Sequence, residues 1–212
     1  KALGVEVEAP LAPGLAPGLR PEARAFLLGQ AEAPFLRLLG EGPLPSLGPR
    51  GTEALALLLA HEAGLSGEAL GEALYGEPNP GALKALLHRL REKGFRIACS
   101  PYRLENPPPS DLRAFLRALS RGDLEEALAL YQGPLLPWSQ APGVEELRLE
   151  LEEALRQAVL AQGDTENLFL LAERLGEDLE VWEALLERLP SQDPRLPIVR
   201  ARVARLRREY GV

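Results

Sequence analysis

Leucine at helical spacing is the feature that most constrains the fold of this chain. From residue 48 onward, apolar side chains recur three or four positions apart, as in Leu55, Leu58 and Leu59. At 3.6 residues per turn, this spacing places them along one side of an α-helix, and that side has to be buried. Strand-like alternation and a run of prolines interrupt the pattern over 95–110. The sequence therefore predicts a mostly α-helical protein with a small β-ribbon.

The first part of the pattern predicts three short helices followed by two strands. A helix in "PRGTEALALLLAHEAGL" ends near Gly64, and Ser66 is placed to cap a second helix in "SGEALGEALYG". The third helix is "GALKALLHRLREKG", residues 81–94. In "FRIACSPYRLE" apolar and polar residues alternate, and a proline turns the chain. Together with a short strand predicted in "PFLRLLG" (34–40), this order is that of a winged helix-turn-helix over 34–105.

The second part of the pattern predicts only helices. Residues 106–109, "NPPP", form a stiff polyproline II linker in this interpretation. Beyond the linker, four residues match the small-residue and aromatic spacing of a tetratricopeptide hairpin: Gly122, Leu124, Ala127 and Tyr131. Such helix pairs stack into a short solenoid. We therefore expect an all-α tetratricopeptide-like repeat domain over 110–212.

The first 33 residues differ in composition from the rest. "EAPLAPGLAPGLRP" is too rich in proline and glycine for regular structure, so 1–33 is predicted to be an arm or linker with one short helix over 21–30. The chain has no methionine, and Lys1 is not a natural start, so we expect an upstream domain. Abundant Leu, Ala, Glu and Arg fit a thermophilic source, although genomic base composition also produces this mix.

Charge and cysteine content restrict the cellular setting. The net charge is −7, so the chain as a whole has no cationic character to attract nucleic acid. A single cysteine, Cys99, excludes an internal disulfide and fits a reducing compartment. No apolar run is long enough to span a bilayer, and no signal peptide opens the chain. We expect a cytoplasmic protein without a membrane partner.

The sequence does not support a catalytic or metal site. His61, His88 and Cys99 lack the spacing of metal ligands. Neither a "GxxxxGK[ST]" phosphate loop nor a "GxSxG" nucleophile elbow occurs. The carboxylates lie one helical turn from arginines, as solvated salt-bridge partners do. We therefore predict a protein that is not an enzyme, with no cofactor, metal or catalytic residue.

Residues 81–104 form a basic segment in a chain that is acidic overall. The segment holds six cations and one carboxylate, a formal +5, so the remaining residues sum to −12. Lys84, His88 and Arg91 fall on one helical ridge, while leucines follow another face. A solvated face explains such a ridge as well as a binding site does. The position of the ridge, on the last helix of a turn-linked pair, favours a helix that reads DNA.

The DNA-reading interpretation assigns a role to each cation. Lys84, His88 and Arg91 are predicted to face base edges, where an arginine can bind guanine bidentately. Arg89, Lys93 and Arg103 are predicted to hold phosphates, which fix position without reading sequence. The predicted DNA-binding residues are, in full, Lys84, His88, Arg89, Arg91, Lys93, Arg96 and Arg103.

Two stretches resemble known regulators. "NPGALKALLHRLREKGFRIACSPYRLE" resembles the winged-helix effector domain of response regulators, through its "RLR" (89–91) and "YRL" (102–104) motifs. "DLRAFLRALSRGDLEEALALYQGPLLPWSQAPGVEELRLELEEAL" is similar to the bacterial transcriptional activator domain, through "YQGPLL", "VEELR" and the closing "LRREYGV". Together, over roughly 34–212, they resemble the Streptomyces antibiotic regulatory protein family. The chain departs from that family in a short loop before the first helix and in a wing without a Pro-Pro-Gly tip.

The resemblance implies a sequence-specific DNA-binding transcriptional regulator, in the family an activator. Its implied partners are double-stranded DNA with tandem direct repeats, a second copy of the chain on that DNA, and RNA polymerase. The rival interpretation is a protein-interaction scaffold, in which a winged helix and a repeat groove bind other proteins without DNA. The operator, the regulated genes and any effector are not readable from the residues.

The two tryptophans carry separate predictions. Trp182 lies at helical spacing from leucines, which predicts a core residue. Trp138 lies in "GPLLPWSQAPG" and is either a plug over the helical core or an exposed anchor for a partner. The plug is favoured because that loop would otherwise expose several large apolar side chains together.

Overall fold

The computed structural model describes residues 36–40, 42, 44 and 46–212. The predicted arm of residues 1–33, with its helix over 21–30, lies outside this part. Within it, nine helices and one two-stranded ribbon follow each other along the chain, so the mostly α prediction is confirmed. The elements are α1 (Gly48–Ala60), α2 (Gly67–Tyr75), α3 (Pro80–Glu92), β1 (Ile97–Ala98), β2 (Arg103–Leu104), α4 (Asp111–Arg121), α5 (Leu124–Leu130), α6 (Pro142–Gln162), α7 (Thr165–Leu175), α8 (Leu179–Arg188) and α9 (Leu196–Tyr210).

Short polar side chains start most of these helices. Ser66 accepts a hydrogen bond from the Ala69 amide at 3.0 Å and caps α2, as the sequence predicted. Ser110 caps α4 in the same way, by accepting from the Arg113 amide. These bonds satisfy amides that a helix leaves unpaired in its first turn. The equivalent caps of α3, α5, α7 and α8 are Asn79, Asp123, Asp164 and Asp178.

The ribbon is shorter than the predicted strands and has a third partner. β1 and β2 pair antiparallel over two residues each. Beyond them, Leu65 and Tyr102 exchange backbone hydrogen bonds of 2.9 and 2.8 Å, which attaches the ribbon to the loop before α2. Gly64 permits this approach, because its φ is +90° and a Cβ there would lie 2.8 Å from the Tyr102 carbonyl oxygen. The sheet therefore contacts the first helices at their turn.

The predicted strand at 34–40 forms two isolated β-bridges in its described part, and both connect it to the helical region. Leu36 bridges to Ser110 and Leu39 bridges to Leu135. The Asp111 carboxylate accepts hydrogen bonds from the amides of residues 38, 39 and 112 at 2.7 to 3.0 Å. Burial raises the pKa of Asp111, and these backbone donors partly offset the rise. The segment thus belongs to the seam between the two predicted domains.

That seam is extensive. One continuous hydrophobic cluster includes residues from both sides of the proline stretch. Glu53 of α1 is buried, and it accepts from Ser139 at 2.7 Å and from Arg50 at 2.9 Å. A Cβ added at Gly143, in α6, would lie only 2.4 Å from the Cβ of Ala73 in α2. The boundary at 106–109 remains a prediction, and the helices on either side of it pack tightly together.

The helices after α3 form successive pairs, as in helical repeats. α4 packs against α5, and α8 packs between α7 and α9. Tyr131 is buried with its ring centroid 5.6 Å from that of Phe115. Trp182 is only 2% exposed, so its prediction as a core residue is confirmed. Trp138 is half-buried and packs against the same core, which fits the plug better than a fully exposed anchor.

Candidate nucleic-acid interface

Helix α3 carries the candidate interface, and its leucines determine which face is available. Leu83, Leu86, Leu87 and Leu90 are all at most 2% exposed and pack into the core. Asn79 caps the helix and Pro80 occupies its first turn, where the missing amide proton has no cost. The opposite face of α3 is exposed. The prediction that leucines anchor this helix is confirmed.

Lys84 lies on the exposed face near the start of α3. It borders a groove of about 280 Å³ between the first turns of α2 and α3, and Tyr102 of the ribbon closes the groove's far side. Lys84 forms no ion pair with any other described residue. The predicted base-facing position is therefore accessible, and its ammonium group is not neutralised by a neighbour.

His88, one turn further along, differs from Lys84. Its Nε2 lies 3.5 Å from Oε1 of Glu92, and both side chains are more than half exposed. A carboxylate thus stands beside the middle of the predicted base-reading ridge. Sequence reasoning counted Glu92 in the net charge of the segment but did not place it next to His88, although the i, i+4 spacing predicts that contact.

Arg91 is directed toward the ribbon. Its Nε and Nη2 donate to the Ile97 carbonyl oxygen at 3.2 and 2.9 Å, and Nη2 also lies 3.2 Å from Sγ of Cys99. The sequence predicted that this guanidinium would face bases together with Lys84 and His88. Sequence reasoning missed the contact because its main acceptor is a backbone carbonyl, which every residue possesses.

The predicted phosphate contacts remain available. Arg89 and Arg103 are exposed and Lys93 is half-buried. Within the described residues, none of these three side chains forms a salt bridge, whereas Arg96 lies 3.3 Å from Oε2 of Glu105. Four of the seven predicted DNA-binding residues therefore have neither a salt bridge nor a side-chain hydrogen bond within the described residues, and a fifth, Arg91, contacts only a carbonyl oxygen and a thiol. We refer to the four as the unpaired cations: Lys84, Arg89, Lys93 and Arg103.

A second basic segment was not singled out from the sequence. Residues 195–210, which include α9, hold six arginines and one glutamate, again a formal +5. Here four of the six arginines are engaged within the described chain: for example, Arg207 lies 2.7 Å from Glu183, and Arg202 lies over the Trp182 ring at 5.2 Å from its centroid. The sequence signal for these contacts is the presence of glutamates in α8 and in the turn before it.

Other site chemistries find little support in the part of the chain that the structure describes. No three His, Cys, Asp or Glu side chains there are grouped closely enough to hold a metal ion. None of its helices combines the length and the apolar character needed to cross a membrane.

Comparisons with known proteins match part of this chain to a family model and most of it to a curated relative. Residues 175–212, which contain α8 and α9, match the family model of the third C-terminal helical domain of YTH3-like proteins. A similar curated protein is the uncharacterized 47.3 kDa protein in thcA 5'region from Rhodococcus erythropolis, 36% identical over 196 residues. The match covers 86% of this chain and 45% of that protein, so the chain spans less than half of its relative. No solved structure matches the sequence.

Proposed function

We propose that this chain is a sequence-specific DNA-binding transcriptional regulator of the Streptomyces antibiotic regulatory protein type, acting as an activator. The observation that carries the proposal is the set of four unpaired cations, on a helix and a ribbon strand, in a chain of net charge −7. Exposed cations without a carboxylate partner attract a polyanion such as DNA. Each cation that neutralises a phosphate releases a counterion from the DNA, whereas a cation already neutralised by a carboxylate does not. The supporting architecture is a turn-linked helix pair followed by a short ribbon, which is the order of a winged helix.

In this proposal α3 lies in the major groove of DNA. Lys84 and His88 face base edges, and Arg89 and Lys93 face the flanking phosphates. Arg103, on β2, reaches the backbone beside the groove. A single module of this size offers an interface on the order of 600–1,000 Å². Two copies therefore bind together on direct repeats about one helical turn apart.

The helices from α4 onward serve, in this proposal, as a tetratricopeptide-like module. Their pairwise packing, with Gly122 ending α4 and Tyr131 buried after α5, supports it. The module stabilises the pair of copies on DNA and contacts RNA polymerase. The protein works in the cytoplasm without a cofactor.

A mobility-shift titration against random duplex DNA at low salt tests the proposal. Wild-type protein should bind, and Arg89→Ala should weaken binding to every duplex while lowering the salt slope by about one. Arg208→Ala is the matched control, because it removes an exposed arginine of α9 that has no partner among the described residues. Absence of wild-type binding, or equal loss in both variants, would contradict the proposal.

A protein-interaction scaffold is the second candidate function. The acidic net charge of −7 favours it, because such a chain as a whole does not attract a polyanion. In that case the same titration would show no binding to DNA, and the unpaired cations would meet an acidic protein surface.

A further inference from the structure

Resting on the proposed function, we propose that Arg91 is a positioning residue that fixes the ribbon against α3 and thereby places Arg103 on the DNA backbone. Arg91 lies in the last turn of α3, and the ribbon begins five residues after that helix ends. The guanidinium spans this gap through its two hydrogen bonds to Ile97 and its contact with Cys99.

The ladder geometry explains why the Ile97 carbonyl is available. The Glu105 amide donates to the Arg96 carbonyl oxygen at 2.9 Å, so residues 96 and 105 form a hydrogen-bonded pair. In an antiparallel ladder, the next pair is not hydrogen-bonded, and this next pair is Ile97 with Leu104. The Ile97 carbonyl therefore points away from β2, to the outer edge of the ribbon. Arg91 satisfies that edge carbonyl.

The same geometry makes Arg91 a poor reader of bases. A bidentate grip on guanine needs two N–H groups on one side of the guanidinium. The two such sides of the Arg91 guanidinium, Nε with Nη2 and Nη1 with Nη2, both use Nη2, and this nitrogen donates to the Ile97 carbonyl oxygen and to Sγ of Cys99. Binding a base through either side would therefore release the ribbon. Base reading thus belongs to the positions nearer the start of α3, where Lys84 is unpaired.

The ribbon needs such an anchor because it is very short. It has two paired residues on each strand, and its remaining attachment is the exchange between Leu65 and Tyr102. Ile97 and Leu104 point into the core, while Arg103 points outward from the neighbouring position. The distance from α3 to the Arg103 guanidinium is consequently set by how the ribbon is held.

A double-mutant cycle on DNA binding tests the positioning role. Arg91→Ala and Arg103→Ala should each lower the salt slope by about one, and the double variant should also lower it by about one. Arg89→Ala combined with Arg91→Ala should lower it by about two. Arg91→Gln should keep the wild-type slope, because the glutamine amide nitrogen takes the place of Nε and still donates to Ile97.

A second measurement separates this inference from the proposed function. Amide hydrogen exchange at Leu65, Tyr102 and Glu105, followed without DNA, should become several-fold faster in Arg91→Ala and stay at the wild-type rate in Arg91→Gln. Unchanged exchange in Arg91→Ala would overturn the positioning role whether or not the chain binds DNA. Failure of the wild-type chain to bind any duplex, with the exchange result as expected, would instead reject the proposed function. If Arg91→Gln changes base preference at one position, Arg91 reads DNA directly and the inference is wrong.

Discussion

Residues 81–104 and 195–210 carry the same formal charge of +5 and differ in what surrounds it. In the first segment, only His88 and Arg96 lie within 4 Å of a carboxylate of the described chain. Arg91 donates to a carbonyl oxygen, and the four unpaired cations have no side-chain partner among the described residues. In the second, three arginines pair with carboxylates and a fourth covers an aromatic ring, these being Arg195, Arg205, Arg207 and Arg202. Formal charge alone therefore does not identify a surface for nucleic acid; the neighbours of each cation decide.

The neighbouring helices produce the difference. α9 packs beside α8, and the glutamates at 177 and 183 reach its arginines. α3 instead buries leucines against α1 and α2, and neither of those helices places a carboxylate within 4 Å of its lysine or arginines. An arginine that pairs within its own fold covers apolar surface with its stem and contributes to packing. Three of the five arginines of α9 are thus engaged within the fold, whereas Lys84 and Arg89 of α3 have no partner among the described residues.

The largest effect is expected at Trp182 of α8, which lies under Arg202 of the paired segment. Trp182→Ala should destabilise the fold by about 3–5 kcal/mol, as truncation of large buried aromatics does. The indole packs edge-on against Phe169, donates to the Gly176 carbonyl oxygen at 2.8 Å and lies under Arg202. Denaturant unfolding followed by circular dichroism measures the loss. A decrease below about 1 kcal/mol would mean that α9 is not held by this contact.

A charge-matched pair of variants gives the next largest effect. One replaces the unpaired cations with Gln, and the other makes the same change at Arg200, Arg205, Arg207 and Arg208. Both remove four positive charges. Four charge contacts with DNA make affinity fall about 100-fold between 50 and 200 mM salt, so the first variant should lose this dependence and the second should keep it.

Fluorescence anisotropy of a labelled duplex measures both variants under the same conditions. If both variants lost affinity equally, net charge rather than the location of the cations would govern binding. The proposed difference between the two segments would then be wrong. Melting temperatures of both variants serve as the control for folding.

A smaller effect is expected from a single pair on α9. Arg207→Ala should lower the free energy of unfolding by at most about 1 kcal/mol, because its partner Glu183 and the guanidinium are both solvent-accessible. High salt should reduce the difference between wild type and variant. Chemical denaturation at low and high salt measures it, and Arg89→Ala, which removes no ion pair of the described chain, is the control.

The smallest effect is expected in the titration of the Asp193 carboxyl group. The hydrogen bonds from Arg195 lower the pKa of Asp193 from its ordinary 3.8 to about 2. Since the folded-state pKa lies below the unfolded value, the stabilisation is present above pH 4 and disappears as the pH falls toward 2. A carboxyl ¹³C NMR titration should show this midpoint in wild type and a return toward the ordinary value in Arg195→Gln. A wild-type midpoint near 3.8 would show that the Asp193–Arg195 pair, seen beside α9, does not form in solution.

Periodicity was sufficient to predict the helices. Each helix places apolar residues three and four positions apart, and caps such as Ser66 and Ser110 mark the starts. The ribbon was also predictable from alternation, although it is only two residues long on each strand. These signals are local, because they depend on residues within one or two turns of each other.

Contacts that depend on distant backbone atoms were not predictable in this way. The Asp111 carboxylate binds amides 72 and 73 residues earlier in the chain, and nothing in the local sequence indicates which amides those are. The contact of Arg91 was not predictable for the same reason, because its main acceptor is a backbone carbonyl oxygen. For the candidate site, sequence reasoning therefore identified the basic segment but not which of its cations the fold engages.

The Asp111 contact has a consequence for how the chain is made. Residues 36–40 can complete their pairing only when residues 110 to 135 have been synthesised, because their partners are Ser110, Asp111 and Leu135. At 5–20 residues per second, the 73 residues between Leu38 and Asp111 take roughly 4–15 s to emerge. During that interval the apolar "LRLL" of the early segment has no native place to bind. Nascent copies expose this segment until translation delivers its partners, so a pause after residue 135 favours folding more than an equal pause before residue 110.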